Sequence, residues 1–289
     1  MKRILLFVVT NLAIMVALSI VLSLLGITGY VREGQLDIGA LLVFCFAWGM
    51  GGAFISLLIS RAIAKWMMGV KLVDGRSGNA ELDWLHQTVH RLTQQANLPM
   101  PEVGFYESPE VNAFATGPSK RRSLVAVSSG LLRTMRREEV EGVLAHEVAH
   151  IQNGDMVTMT LIQGVVNAFV MFLARIIAFA VRQGSDSRNA YFLSFVVMIV
   201  LQIVFGFLGM IVVAWFSRAR EFRADAGGAA LAGRGSMVAA LRRLMDTRQL
   251  VDNREPALAT LKISGGRSWM ALVSTHPPLE ARIRALEQG

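Results

Sequence analysis

Cysteine occurs once, at Cys45, in a chain of 289 residues. A lone thiol closes no internal disulfide, and a metal site built from several thiolates is excluded. Charge is scarce too: Asp, Glu, Lys and Arg make up 17% of the residues, against about a quarter in soluble domains. With 53% hydrophobic residues and a mean hydropathy of +0.47, the chain is too apolar to be wholly soluble. Histidine is rare as well, with five in all, and none lies between Ile151 and Arg220; neither does any glutamate.

The missing charge is concentrated in four blocks. Residues 4–31, 38–60, 156–174 and 189–217 hold no charged side chain. Each meets or exceeds the roughly 18 apolar residues that mark a membrane helix. The third carries Thr158, Thr160, Gln163 and Asn167, which suits a face turned to protein or water more than to lipid. The opening MKRILLFVV imitates a secretory signal, but its apolar stretch far exceeds the roughly 7–15 residues of a signal core. It reads as a retained anchor. Two membrane hairpins, residues 1–62 and 155–217, therefore alternate with two polar segments, 63–154 and 218–289.

The net charge is +8, and the basic residues sit beside the apolar runs: Lys2 and Arg3, then Arg61, Lys65 and Lys71, then Arg218, Arg220 and Arg223. By the positive-inside rule the N-terminus and both polar segments lie in the cytoplasm. Membrane orientation thus accounts for the basic balance, and a nucleic-acid partner is not expected; that reading would need a basic patch away from the bilayer.

Within the first polar segment DGRSGN (74–79) reads as a loop. A helix follows, with Leu82, Leu85, Val89 and Leu92 on one face. PEVGFYES, VNAFATG and SLVAVSSGLL read as short strands. The helical period returns from Arg137 to Gln152, with Asn153-Gly154 as its stop. Helix and strands in succession give an α+β domain rather than an alternating one. The fold class expected is a mainly α membrane protein: four membrane-associated helices in two hairpins, plus a cytoplasmic α+β domain.

The chemistry concentrates in VLAHEVAHIQNGD, residues 143–155. Residues four apart on a helix share a face, so His146 and His150 can both address one ion. Glu147 is rotated about 100° from His146, where it can reach a water at that ion without being a ligand, as a general base requires. Val143, Leu144, Val148 and Ile151 flank the polar face with apolar residues. Two histidines and a glutamate buried there without a partner would cost several kcal/mol, roughly. One zinc ion per chain removes that cost.

A catalytic zinc needs a third protein ligand and an open position. The extension H-E-x-x-H-x-x-G-x-x-H fails, because Gly154 comes one residue late and Met156 stands where the third histidine would be. Asp155 follows His150 too closely to reach the same ion, and Asp186 falls in the loop across the membrane. The next acid is Glu221, in SRAREFRADAGG, and it is the expected third ligand. Asp225, one turn on, is expected to accept from a ligand imidazole and fix its tautomer. His86 and His90 are also four apart, but no base follows the first, and they read as surface residues. His276 in STHPPLEARI has two readings: a boundary residue before a helix opening at Pro277, or a group that stabilises an oxyanion at the metal.

The motifs AHEVAHIQNGDMVTMTLIQGVVNAFV, REFRADA, VNAFATG and THPPLEAR, with an N-terminal anchor hairpin, resemble the HtpX-type bacterial membrane zinc peptidases, relatives of the CAAX prenyl endopeptidases. The resemblance covers nearly the whole chain. It implies zinc at His146, His150 and Glu221, Glu147 as catalytic base, and the active role for His276. It also implies that the segment with Asn112, Ala113 and Phe114 borders the cleft as a substrate-pairing edge strand. In that family the catalytic part faces the cytoplasm at the bacterial inner membrane. It clears misfolded or damaged membrane proteins under heat stress, alongside other quality-control proteases. Two alternatives stay open: a peptidase for lipidated C-terminal peptides, and a membrane scaffold with a structural zinc closed by four ligands.

Overall fold

The computed structural model describes residues 35–184, 189–254 and 274–288, together with Ile20, Val31 and Arg32. Apart from Ile20 and Val31, the first apolar run lies outside the described residues, as does Asp186. In chain order, β1 (Val31–Arg32) pairs antiparallel with β2 (Gln35–Leu36), followed by α1 (Ile38–Met68), β3 (Lys71–Val73) and α2 (Ala80–Gln95). Then come β4 (Glu102–Tyr106), β5 (Ala113–Thr116), β6 (Leu124–Ser128), α3 (Ser129–Thr134) and α4 (Arg137–Asn153). The long helices α5 (Asp155–Gln183) and α6 (Ala190–Ala232) precede α7 (Arg234–Arg254) and α8 (Leu279–Gln288).

The chain divides into two compact units. One takes 158–213 with the part before Leu58; the other takes Leu58–Val157 and the chain from Ala214. Among the described residues three helices, α1, α5 and α6, are long and apolar enough to cross a membrane. α1 opens where the Asp37 carboxylate accepts from the Ala40 N–H at 2.9 Å. Within the first unit Gly49 of α1 lies against the backbone of Gly164 and Ala168 of α5, the close approach that small residues permit between membrane helices. Phe46, Phe169 and Ile203 stay exposed, an apolar surface that suits lipid.

The second unit is built on a four-stranded sheet in the order β3-β4-β6-β5. β4 and β6 are parallel, with Glu102 opposite Leu124, and β5 is the antiparallel edge, with Thr116 opposite Leu124 and Ala113 opposite Val127. Alternation along the strands sends side chains to two faces. Val103, Val125 and Val127 join Leu85, Val89 and Leu92 of α2 and Leu144, Val148 and Ile151 of α4 in the main core. On the other face Tyr106, Leu124 and Ala126 meet Ala64 and Met68 at the end of α1, together with Phe114. A smaller core joins Met237 and Leu241 of α7 to Ile283 and Leu286 of α8.

The expected helix over 82–92 and the expected loop at 74–79 are both present. The stretch SLVAVSSGLL is not one strand. It ends as strand at Ser128, whose hydroxyl accepts from the Leu131 N–H at 3.0 Å and caps α3. Helix α8 opens at Leu279 rather than at Pro277, its first turn closed by the Ala281 N–H on the Pro278 carbonyl.

Candidate metal centre

Helix α4 places the first part of the site. The Glu139 carboxylate reaches back to the Arg136 N–H at 2.7 Å and starts the helix. Gly154, at φ 70°, ends it in the left-handed conformation that glycine adopts without strain. Between these ends Val143, Leu144, Val148 and Ile151 are buried, and His146 and His150 with them. The second part comes from α6 beyond its charge-free run. Glu221 and Asp225 are each 1% exposed. Gly228 lets this helix lie directly on α4: a Cβ there would stand 3.1 Å from the His146 backbone nitrogen and 2.8 Å from Met237 Sδ.

The structure brings His146, His150 and Glu221 together. Their ligand atoms lie within 4.8 Å of one another, and they are the one such group among the described residues. The two imidazole Nε2 atoms are 3.1 Å apart. His150 Nε2 is 3.3 Å from Glu221 Oε1, and His146 Nε2 is 3.6 Å from Glu221 Oε2.

Each imidazole is held from behind. His146 Nδ1 lies 3.0 Å from Asp225 Oδ1, and His150 Nδ1 lies 2.6 Å from Asp155 Oδ2. With Nδ1–H donating to a carboxylate, the neutral ring leaves its Nε2 lone pair free. Two such lone pairs and a carboxylate then converge, which is unfavourable unless a cation lies between them. Two ligands about 2.0–2.1 Å from one zinc ion at a tetrahedral angle stand roughly 3.3 Å apart, close to all three separations. Glu221 Oε1 is moreover buried without a hydrogen bond. The residues present therefore fit a metal ion.

Electrostatics agree. Burial pushes both imidazoles down, but the carboxylates outweigh it. Asp155 and Glu221 lift His150 to about 9, and Asp225 and Glu221 raise His146 above its ordinary value. Burial would raise Glu221; its contacts with His146, His150 and His276 instead hold it well below the usual carboxylate range. Without the ion, protons take the place a cation would fill, and binding must release them.

Two residues of this arrangement were not anticipated. Asp155 lies outside the His146, His150 and Glu221 group and grips the opposite ring nitrogen of His150. Arg282 of α8 donates from Nε and Nη2 to both Asp225 oxygens at 2.7 and 2.6 Å, and its Nη1 lies 3.3 Å from Glu221 Oε2. It is buried, at 6% exposure.

A cleft of about 130 Å³ opens beside these groups. His146, Glu147, Glu221, His276 and Arg282 line its polar end, and Leu131, Val143, Met237 and Leu244 its apolar part. Val111, Asn112 and Ala113, leading into the edge strand β5, form one wall. The Ser128 hydroxyl fixes this wall, accepting from the Asn112 N–H at 3.1 Å and donating to the Glu110 carbonyl at 2.6 Å. Phe114 is not among the lining side chains: its ring packs 5.8 Å from that of Tyr106 on the other face of the sheet. His276, largely exposed, places Nδ1 2.9 Å from Glu221 Oε2. His90 is exposed and His86 half-buried, neither in the cluster.

Residues 79–289 match Peptidase family M48. The chain belongs to that family. It is similar over its full length to "Protease HtpX homolog" of Verminephrobacter eiseniae, 55% identical over 298 residues that cover 100% of this chain and 99% of that one. It is likewise similar to "Protease HtpX" of Idiomarina loihiensis, 51% identical over 291 residues, with 100% and 99% covered. Among solved structures it resembles S. mikatae Ste24p, with a TM-score of 0.66 at 16% identity over 99% of this chain; the match spans 65% of that longer chain. That likeness speaks to the fold. The M48 chain is a metalloprotease, a hydrolase that uses a metal, and its apolar helices make it a membrane protein.

Proposed function

We propose that this M48 chain is a zinc-dependent endopeptidase of the bacterial inner membrane that cleaves misfolded or damaged membrane proteins on the cytoplasmic side. The observation that carries the reading is the convergence of two Nε2 lone pairs and the buried Glu221 carboxylate beside Glu147, at the mouth of a cleft.

His146, His150 and Glu221 would hold one zinc ion, and this set leaves a position open for water. When bound, zinc supplies Lewis acidity toward water and toward the carbonyl of the scissile bond. Asp225 and Asp155 keep the two imidazoles in the tautomer that offers Nε2. Glu147, lining the cleft without a place among the ligands, takes a proton from the attacking water on its carboxylate and returns it to the leaving nitrogen. His276 donates from Nδ1 to Glu221. Its other nitrogen can donate to a developing oxyanion only from the imidazolium form, because the neutral ring would there be an acceptor. The peptide lies extended along the edge strand from Asn112 through Phe114, held by main-chain hydrogen bonds that ask little of its sequence.

Glu147→Gln tests the assignment. Purified full-length protein should keep its metal, measured by elemental analysis, and lose cleavage of a membrane-protein substrate. Full activity in that variant ends the proposal. The HtpX relatives support protease chemistry and the apolar helices a membrane setting; substrate choice and a role in heat stress follow from the resemblance.

A further inference from the structure

The turn between β5 and β6 reads GPSKRRS, residues 117–123. Lys120, Arg121 and Arg122 make one turn of 3-10 helix, and all three are exposed. The turn is a built one. Gly117 sits at φ +139°, where an added Cβ would meet the Arg122 carbonyl oxygen at 2.2 Å, so only glycine closes it. The Ser123 hydroxyl donates to the Lys120 carbonyl at 3.1 Å, and the Arg122 N–H donates to the Ser119 carbonyl at 3.1 Å.

In the sequence this turn is far from any apolar run. The sheet brings it to one. Helix α1 loses its charge-free character at Ser60, and its first basic residues, Arg61 and Lys65, meet Glu102 at 3.2 and 3.0 Å. Glu102 opens β4, stands opposite Leu124 at the start of β6, and donates from its N–H to the Ser123 carbonyl at 3.0 Å. Further on, Ala64 and Met68 pack into the cluster of Tyr106, Leu124 and Ala126, and just past the helix Lys71 of β3 stands opposite Phe105 of β4. The helix therefore runs along the sheet from the Glu102 end toward the Tyr106 end as it leaves its apolar run. At 1.5 Å per residue, Lys65 is roughly 8 Å beyond Ser60. Within this unit the sheet end that carries the 117–123 turn is thus the one beside Arg61 and Lys65, the first basic residues after the apolar run, and Glu107 marks the far end.

We propose that Lys120, Arg121 and Arg122 form a docking contact for anionic lipid headgroups. Charges within about 8 Å of a surface feel it at physiological salt, and each basic residue beside an anionic leaflet is favoured about fivefold. Strand β5 runs from this turn, at Thr116, to the cleft wall at Ala113. The contact therefore seats the substrate-pairing edge as a path from the bilayer surface to the metal centre. The lipid contact rests on the membrane reading of α1, and its use as a path rests on the substrate-pairing role proposed for β5.

The test uses the full-length chain carrying Cys45→Ala and a single fluorophore, attached through Ser119→Cys or through Glu107→Cys. Each labelled protein is reconstituted into vesicles of phosphatidylcholine, with or without phosphatidylglycerol, that carry a headgroup quencher. With the anionic lipid, the Ser119 label should be quenched roughly twofold or more above the Glu107 label. The excess should fall by more than half at high salt, and equally in Lys120→Gln/Arg121→Gln/Arg122→Gln. Should the triple variant lose thermal stability, Arg121→Gln and Arg122→Gln alone repeat the comparison at smaller amplitude. Equal quenching with and without phosphatidylglycerol, stronger quenching at Glu107, or indifference to removal of the three charges overturns the proposal. The readout does not involve hydrolysis, so its failure and the failure of the peptidase assignment are distinct results.

Discussion

Replacing Arg282 by methionine should separate a role at the metal centre from simple packing. The guanidinium makes a two-pronged contact with Asp225 at 2.7 and 2.6 Å and lies 3.3 Å from Glu221. Removing it leaves two buried carboxylates without their cation. Deleting one partner of a buried ion pair costs about 3–5 kcal/mol. For a domain of 150–250 residues, each kcal/mol moves the thermal midpoint by roughly 2–4 °C, so the metal-free protein should lose roughly 6–20 °C. Excess zinc should widen that loss by about 1.4–2.7 kcal/mol, because a variant that binds the ion 10–100-fold more weakly gains less from the same free zinc. A purely packing defect would cost the same in both forms. Metal affinity, read by competition with a chelating dye, should fall roughly 10–100-fold, since Asp225 orients His146. Arg282→Lys keeps the charge but not the fork and should fall between. A midpoint drop that is identical with and without zinc, together with unchanged affinity, would refute the reasoning.

Further outcomes follow from the same geometry. Asp155→Asn should weaken metal binding roughly 10–100-fold through His150, measured by the same dye competition. Gly228→Val should destabilise the protein by about 1–3 kcal/mol in thermal unfolding, because the new side chain meets the His146 backbone and Met237. Free zinc at a hundred times its dissociation constant should stabilise the protein by about 2.7 kcal/mol, and a midpoint that ignores zinc would remove the ion from the account.

Local pattern made much of this site legible. His146, Glu147 and His150 follow from helical spacing within one short segment. Glu221 follows from scarcity, since a long charge-free run leaves few acids to choose from. Asp225 follows from its position one turn beyond. Where long-range geometry decides, the sequence was silent. Arg282 lies 57 residues from Asp225 along the chain, and nothing local indicates that α8 turns its arginine inward. Asp155 was set aside as a ligand because it follows His150 too closely. Its actual place depends on the left-handed Gly154, which folds the start of α5 back against His150. The misread end of SLVAVSSGLL has a similar cause: Ser128 is compatible with a strand, and only its hydroxyl bond to Leu131 shows that a helix has begun. Helix α7, which supplies Met237 and Leu244 to the cleft, was not foreseen, because its apolar face makes sense only once α4 and α8 are in place.

The metal centre is gathered from parts of the chain that are made at different times. Arg282 is 136 residues after His146, and both halves of the second membrane hairpin lie between them. At a synthesis rate of roughly 5–20 residues per second, about 7–27 s separate the emergence of the two groups from the ribosome. Throughout that interval the paired histidines lack the arginine, and until Glu221 is made they lack its carboxylate as well. On the proposed ligand set a nascent chain is thus unarmed while its own unfolded segments are most exposed, and its centre is complete only after the helices that anchor it have been produced.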